Sequence, residues 1–559
     1  MEKNSIRGKN LFVSLIASLV SGLLVVVSFP DFDLSFFAWI ALVPLFISLF
    51  KTKGILTSII SGWLFGLAYF GGTCWWLTFA PIHYAGFPPL LAYLLLVTAA
   101  GIVAIFPAVF AAILKKVIDT TGPAGIFAAP FFWTALEFAR FWLTGNNWNA
   151  IAYSQAFYPK LIASAAWTGI YSVSFSILLA NSMLSYVIIR LSQRIRGKGV
   201  PDTAADRKKP FITLFEKAIV GFCFLYFLIY FSAHFFQINS TEKEVSDKSF
   251  SQVVVAAIQP NVPASGLDEA KWERLKERQF EMARQAVNQI RQSNEPKARA
   301  NEGRPAGPTA RLIIFPESPM NYAYSDDLLF QAELNQLAIE LDSWLLLNSA
   351  EPSPGDVRKF NSAILISPEG KLAGQYDKIH LLPFGEAVPF PFEGILPAFV
   401  GSFAYGSEFD IFNLGFEKFA VMICFESHFG LLSREYAKNG ADFLVEMTND
   451  GYLGQTPVLR QHLANAVFRA VETKRPLIRA TNVGITAIIS SDGTVSEALP
   501  AYSEGLKIWP VKGIGKATTL YVAFGDWFAW MCCLISVLIG SLAFRKGRIL
   551  NIKTSTELP

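Results

Sequence analysis

The sequence predicts a membrane α-helical bundle of eight transmembrane helices joined to an extracytoplasmic α/β domain, and three observations carry that expectation. Hydrophobic residues make up 52% of the 559 and charged residues only 16%, against about 25% charged in soluble domains. Eight apolar runs approach or exceed the roughly 20 residues needed to cross about 30 Å of hydrocarbon. Lysine and arginine then fall in every second loop between those runs. A chain this long exceeds one domain. Its net charge of +4 is small and gives no sign of a nucleic-acid partner, and none is expected.

The runs lie at about 11–29, 34–50, 55–79, 88–114, 122–142, 162–189, 211–236 and 518–544. The second is short and reads as a hairpin with the first. The first is longer than the 7–15-residue core of a secretory signal, and no small-x-small cleavage site precedes the next run, so it reads as an anchor. Lys3, Arg7 and Lys9 precede the first run, Lys51 and Lys53 follow the second, and Lys115 and Lys116 follow the fourth. Arg190, Arg194, Arg196, Lys198, Arg207, Lys208 and Lys209 follow the sixth, and Arg545, Lys546, Arg548 and Lys553 follow the eighth. The intervening loops carry no Lys or Arg apart from Lys160 in 143–160. This alternation predicts both termini in the cytoplasm. Three parts follow: seven spans over 1–236, an extracytoplasmic domain over 237–517, and the eighth span with a cytoplasmic tail over 518–559. Glu137 and Arg140, at i and i+3 in the fifth run, share a helical face; an ion pair and a lipid head-group contact are both open for them.

Within 237–517 the apolar runs shorten to strand length: VVVAAI at 253–258, LIIF at 312–315, WLLLN at 344–348, SAILIS at 362–367, FAVMIC at 419–424, FLVEM at 443–447 and AIIS at 487–490. Helical patterns at 268–292, 327–342 and 455–474 separate several of them. Short apolar strands interspersed with amphipathic helices predict sheets covered by helices. The stretch 293–310 is polar and rich in Pro and Gly and reads as an insertion.

Five cysteines are present, four of them in apolar runs, so Cys424 stands alone in the external domain. Structural cysteines in an oxidising compartment are expected in pairs. A lone thiol there is either buried and inert or kept for reactivity. Glu317 in LIIFPES and Lys378 and Glu386 in YDKIHLLPFGE also follow strand-like runs, as does the Asn449-Asp450-Gly451 turn; strand ends are where α/β folds gather functional groups. A carboxylate, an amine and a thiol at three such positions point to nucleophilic catalysis. The five histidines show no metal-ligand spacing, so no metal or other cofactor is expected, and His380 and His428 read as structural.

FPES, YDKIHLLPFGE and CFES, in this order, resemble the Glu-Lys-Cys signature of the nitrilase (carbon–nitrogen hydrolase) superfamily over about 251–510. With eight spans around it, and with TNDGY and 460–486 agreeing, the whole chain is similar to the apolipoprotein N-acyltransferases of Gram-negative envelopes. The resemblance implies an αββα sandwich held in the periplasm by a multi-pass, monomeric inner-membrane protein. It implies transfer of an acyl chain from a phospholipid, through a Cys424 thioester, to the amine of a diacylglyceryl apolipoprotein. Glu317 would be the proton acceptor, Cys424 the nucleophile and Lys378 the oxyanion stabiliser, which would also lower the thiol pKa. Glu386, Glu426 and the Phe425 backbone N–H would support them. Departures from the family pattern are Phe425 for Tyr, Ala387 for an aromatic, Asn348 for Gly, and Tyr452-Leu453 for Trp-Phe. A membrane-tethered nitrilase-type amidase would use the same triad with water as acceptor, and a non-catalytic scaffold would be expected to lose one of its members.

Overall fold

The computed structural model describes residues 2–145, 147–196, 214–247, 252–263, 265–293, 309–318, 323–388, 403–513 and 518–556. The chain divides into two compact units, one of residues 1–155, 160–235 and 526–559, the other of 156–159 and 236–525. The insertion predicted at 293–310 lies, but for its ends, outside the described residues, as do Lys198, Arg207, Lys208 and Lys209.

The first unit is helical. Among the described residues, Leu11–Ser28, Ile55–Thr73, Pro89–Thr144, Tyr171–Ile195 and Trp527–Arg545 are long and apolar enough to cross a membrane, with Ser35–Lys51 a shorter apolar stretch. The run predicted at 88–114 is two helices, Pro89–Val103 and Ile105–Thr121. Pro107 has no N–H to offer the Val103 carbonyl four residues back, which accounts for the break. The run predicted from 162 becomes a long helix only at Tyr171, beyond Gly169 at φ +68°, and the last predicted run only at Trp527, beyond Gly525 at φ +64°. Side chains reach these left-handed conformations at a cost, so both glycines act as helix breaks.

Packing in this unit relies on small residues. A Cβ at Gly62 would lie 2.3 Å from the Pro107 carbonyl oxygen and 2.6 Å from Ala111 Cβ, and one at Gly66 2.9 Å from Ala104 Cβ. The pair at i and i+4 lets the two backbones approach closely, as small-xxx-small faces do in lipid. Buried hydroxyls and amides join the helices. Ser14 Oγ lies 2.6 Å from Ser48 Oγ and 2.9 Å from Ser61 Oγ. Asn181 accepts from the Leu42 N–H at 2.8 Å and donates to the Ala38 carbonyl at 2.9 Å, where Ser35–Lys51 is broken. Glu137 and Arg140 find separate partners. The Ile151 N–H donates to Glu137 at 3.0 Å, while Arg140 donates to Asn147 at 2.5 Å and lies 4.9 Å from the Phe70 ring centroid.

The second unit holds two sheets. The first is built from β1 (Gln252–Gln259), β2 (Thr309–Ile314), β3 (Trp344–Pro352), β4 (Lys359–Ile366), β5 (Leu372–Asp377) and β6 (Phe403–Ala404), with β13 (Gly505–Val511) on its outer edge. The second contains β7 (Phe412–Asn413), β8 (Lys418–Ile423), β9 (Phe443–Thr448), β10 (Leu477–Thr481), β11 (Ala487–Ile489) and β12 (Val495–Ser496). The strand orders are β13-β1-β2-β3-β4-β5, with β6 beside β4, and β12-β11-β10-β9-β8-β7. β1, β2 and β3 run parallel, as do β8, β9 and β10, so the C-terminal ends of each trio lie on one edge.

Alternate residues of the first sheet, among them Ala256, Ile258, Ile313, Leu345, Leu347 and Ile364, form a buried core with helices Glu269–Ser293 and Leu328–Leu341. All seven predicted strands are present, and the three predicted helices fall within three residues of their expected bounds. β5, β10 and β13 escape sequence reading because their polar residues, such as Arg479 within LIRAT, break the apolar pattern.

Candidate active site

Five strand ends build the site. Glu317 follows β2, Lys378 follows β5, Cys424 follows β8, Asn449 and Asp450 follow β9, and Asn482 follows β10. Cys424 is where β8 stops. Its φ is +52°, and it begins a 3-10 turn over Cys424–His428 rather than ending the strand. Such a backbone is costly for a side-chain-bearing residue and persists only where neighbours hold it.

Glu426 is one of those neighbours. Its Oε2 accepts from the Ile423 N–H at 2.8 Å. Oε1 accepts from the Tyr376 hydroxyl at 2.7 Å and from the N–H groups of Ile379 and His380 at 2.7 and 3.0 Å. Burial pushes this carboxyl up to about 7, although those donors and Lys378 oppose the rise. Glu426 therefore ties the Lys378 loop to the Cys424 turn. The Phe425 ring packs against His428 and Phe429, 5.6 and 5.3 Å between centroids, and His380 stacks on Phe429 at 3.9 Å.

The Lys378 ammonium is fully buried, 2.8 Å from Glu386 Oε1 and 3.3 Å from Glu317 Oε1. Burial works to discharge it, but Glu317 and Glu386 outweigh that and hold its pKa far above the ordinary lysine value. An amide chain fixes both carboxylates. Asn361 Nδ2 donates to Glu317 at 3.0 Å and to Glu386 at 2.7 Å, and Asn361 Oδ1 accepts from Asn348 at 2.7 Å. Asn348 in turn accepts from the Ser318 N–H at 2.9 Å. Glu386 Oε2 accepts from the Leu382 N–H at 2.7 Å, and Glu317 Oε2 from the Asn449 N–H at 3.2 Å. Burial raises the Glu317 pKa, Lys378 pulls it back and Glu386 pushes it further, with a net rise.

Cys424 is 5% exposed. Burial pushes its thiol well up and Glu317 adds to that, while Lys378 pulls the other way and loses. Lys378 thus acts in the expected direction. Its influence has that sign, but burial and negative charge exceed it, so the resting group is a protonated thiol that needs a base.

Behind Cys424 lies a buried cluster of four charges that the sequence reading missed. His462 Nε2 is 3.0 Å from the Cys424 carbonyl oxygen and 3.1 Å from Glu446, and Nδ1 is 2.8 Å from Asp450. Arg479 contacts Glu446 at 2.5 Å and Asp450 at 2.9 Å. Burial and Arg479 work to discharge His462, but Asp450 and Glu446 outweigh them and hold its pKa up at about 9. Two cations and two carboxylates then sum to zero charge, the arrangement a dry interior tolerates. As an imidazolium, His462 donates from both nitrogens, one of them toward the backbone that carries the thiol. A Glu inside FLVEM and an Arg inside LIRAT were the available signal, since unpaired charges are not buried mid-strand.

All six predicted site residues, Glu317, Lys378, Cys424, Glu386, Glu426 and Phe425, belong to this one constellation. Asn361 and Asn348 join it as orienting amides. Tyr452, which the sequence marks only as a departure from the family pattern, brings its hydroxyl to 3.8 Å from Cys424 Sγ.

Two family models match the chain, the apolipoprotein N-acyltransferase N-terminal domain over residues 21–183 and carbon-nitrogen hydrolase over 254–512. Among curated relatives, an apolipoprotein N-acyltransferase of Geobacter metallireducens is 32% identical over 95% of both chains. Apolipoprotein N-acyltransferase 1 of Treponema denticola is 25% identical over 95% of this chain and 97% of its own. That of Nitrosomonas europaea is 28% identical, covering 96% and 99%.

Proposed function

The chain belongs to the apolipoprotein N-acyltransferase family, and from that premise we infer that it moves an acyl chain from a membrane phospholipid to the N-terminal amine of a diacylglyceryl apolipoprotein. The observation that carries the reading is a buried thiol at a strand end, grouped with a carboxylate and an ammonium that are themselves paired.

The chemistry divides in two because an amine attacks an ester poorly in one step. Glu317 takes the thiol proton, and Cys424 Sγ bonds to the ester carbonyl carbon. Lys378 and the Phe425 N–H stabilise the oxyanion. The carbonyl re-forms, the ester C–O bond breaks, and lysophospholipid leaves with the proton from Glu317. The acceptor amine then attacks the thioester and gives its proton through Glu317 to the departing thiol. Glu386 holds Lys378, and the raised Glu317 pKa suits a group that both takes and returns a proton.

The same reading puts residues 237–517 in the periplasm between a seventh and an eighth span of a monomeric inner-membrane protein, with both termini cytoplasmic. It is supported by the alternation of basic loops and is tested by the side from which cysteines placed in successive loops react with an impermeant maleimide.

The test of activity is mass spectrometry of the detergent-purified protein after incubation with phospholipid alone. An acyl adduct on Cys424, released by neutral hydroxylamine, accompanied by lysophospholipid and absent from Cys424→Ala, is expected. Hydrolysis of small amides with no such adduct would replace this reading with a tethered amidase.

A further inference from the structure

The Tyr452 side chain is not accounted for by the triad. Its hydroxyl lies 3.8 Å from the sulfur of Cys424, within reach of an O–H···S contact. Among the described residues, that sulfur is the one hydrogen-bond partner the hydroxyl has. The placement is built rather than incidental. Tyr452 follows the turn that begins at Asn449, and this turn is fixed from several directions. The Asn449 N–H holds Glu317, and Asn449 Oδ1 accepts from the Gly451 N–H at 3.1 Å and from Asn482 at 3.2 Å. Asp450 is locked to His462 and Arg479. The same His462 reaches the Cys424 carbonyl, so the hydroxyl and the thiol are positioned by one network.

We propose that Tyr452 is a further catalytic residue, whose hydroxyl donates a hydrogen bond to the Cys424 sulfur and holds the thiolate while it attacks the acyl carbonyl. No proton is transferred to or from the tyrosine. The thiol proton goes to Glu317, and Tyr452 keeps its own. Burial, followed by the charge on Cys424, Glu317, Glu386 and Asp450, keeps the phenol protonated well above its ordinary range, which leaves it a donor at any working pH. The buried thiol needs such a donor, because Glu317 and burial both disfavour its anion and Lys378 is shared between two carboxylates. A Trp at this position, as the family pattern has, would supply no hydroxyl. The proposal names a residue for the acyl-transfer reading and rests on it for the reaction.

The test uses the full chain in detergent and two readouts. The first is the pH dependence of Cys424 alkylation by iodoacetamide, followed by peptide mass spectrometry, which needs no acyl transfer. The second is the rate of Cys424 thioester formation from palmitoyl-oleoyl phosphatidylethanolamine. In Tyr452→Phe, the alkylation midpoint is expected about one pH unit higher and the thioester rate about tenfold lower, with the half-saturating lipid concentration unchanged. Replacing Tyr452 by ring-fluorinated tyrosines, which are stronger donors of nearly the same shape, should lower the midpoint step by step. An unmoved midpoint in the Phe variant would overturn the proposal. So would a raised lipid requirement with an unmoved midpoint, which would make Tyr452 a wall of the lipid site. If the midpoint shifts while the native protein forms no thioester, the sulfur contact stands and the acyl-transfer reading fails.

Discussion

The two units of the chain bury polar groups in opposite ways. In the helical unit they are mostly neutral, and several hydroxyls are satisfied within their own helix. Ser18, Ser176, Ser182 and Ser185 each donate to a carbonyl four residues back, at 2.7–2.9 Å. In the sheet unit many are ionised, and these are satisfied across long stretches of chain: Lys378 meets Glu317 61 residues away, and Arg479 meets Asp450 29 residues away. The difference teaches where chemistry can be built. A helix offers its own carbonyls to a short hydroxyl, so a Ser can be buried without help from another element. Parallel strands deliver distant residues to one edge, where opposite charges compensate one another and shift one another's protonation.

The largest expected effects come from breaking the sheet unit's charge compensation beside Cys424. Lys378→Met leaves Glu317 and Glu386 facing each other without a cation. Thioester formation is expected to fall by about a thousandfold or more, read by acyl-adduct mass spectrometry; a loss under tenfold would remove Lys378 from the chemistry. Arg479→Met should destabilise by about 3–5 kcal/mol, because two buried carboxylates then share His462 alone. A thermal unfolding midpoint unchanged from the native protein would show that Glu446 and Asp450 find other compensation.

Next comes pH. The folded His462 pKa of about 9 exceeds the ordinary value of about 6.5, so the folded state binds this proton more tightly than the unfolded chain. Its stabilisation is complete below about pH 6.5 and is lost as pH rises through about 9. The loss amounts to at most about 3 kcal/mol, and thermal unfolding of the native protein against His462→Gln would read it. For catalysis, the raised Glu317 pKa puts the acidic limb of thioester formation above the ordinary carboxylate value of about 4.3, since the base is active only when ionised. A limb at or below that value would deny Glu317 the role.

The smallest effects belong to the helical unit. Ser14→Ala removes one member of a hydroxyl cluster and should cost about 0.6 kcal/mol, in contrast to any charge in the sheet unit. Activity within twofold of native, with a midpoint lowered by no more than a few degrees, is the expected outcome. A collapse in expression would erase the contrast between the units.

Much of this molecule is legible in its sequence because the signals are local. Apolar runs and seven of the strands depend on neighbours in the chain. Glu317 and Cys424 stand out because each ends or follows an apolar run and sits in a resembled motif, and Lys378 because of its motif. The span boundaries slip where Pro107, Gly169 and Gly525 interrupt otherwise apolar sequence, since hydropathy does not register a missing N–H or a left-handed turn.

By itself the sequence determined which stretches suit lipid, which suit a sheet, and which three side chains to single out, Glu317, Lys378 and Cys424. Only the tertiary structure decided what state those groups rest in. It buried the thiol beside Glu317, and both oppose the pull of Lys378 on its proton. It made His462 part of a neutral four-charge cluster behind Cys424, and it set the Tyr452 hydroxyl against the sulfur. The physical reason is that burial and Coulomb interactions depend on distance in space, and the strand order that sets those distances joins residues far apart in the chain.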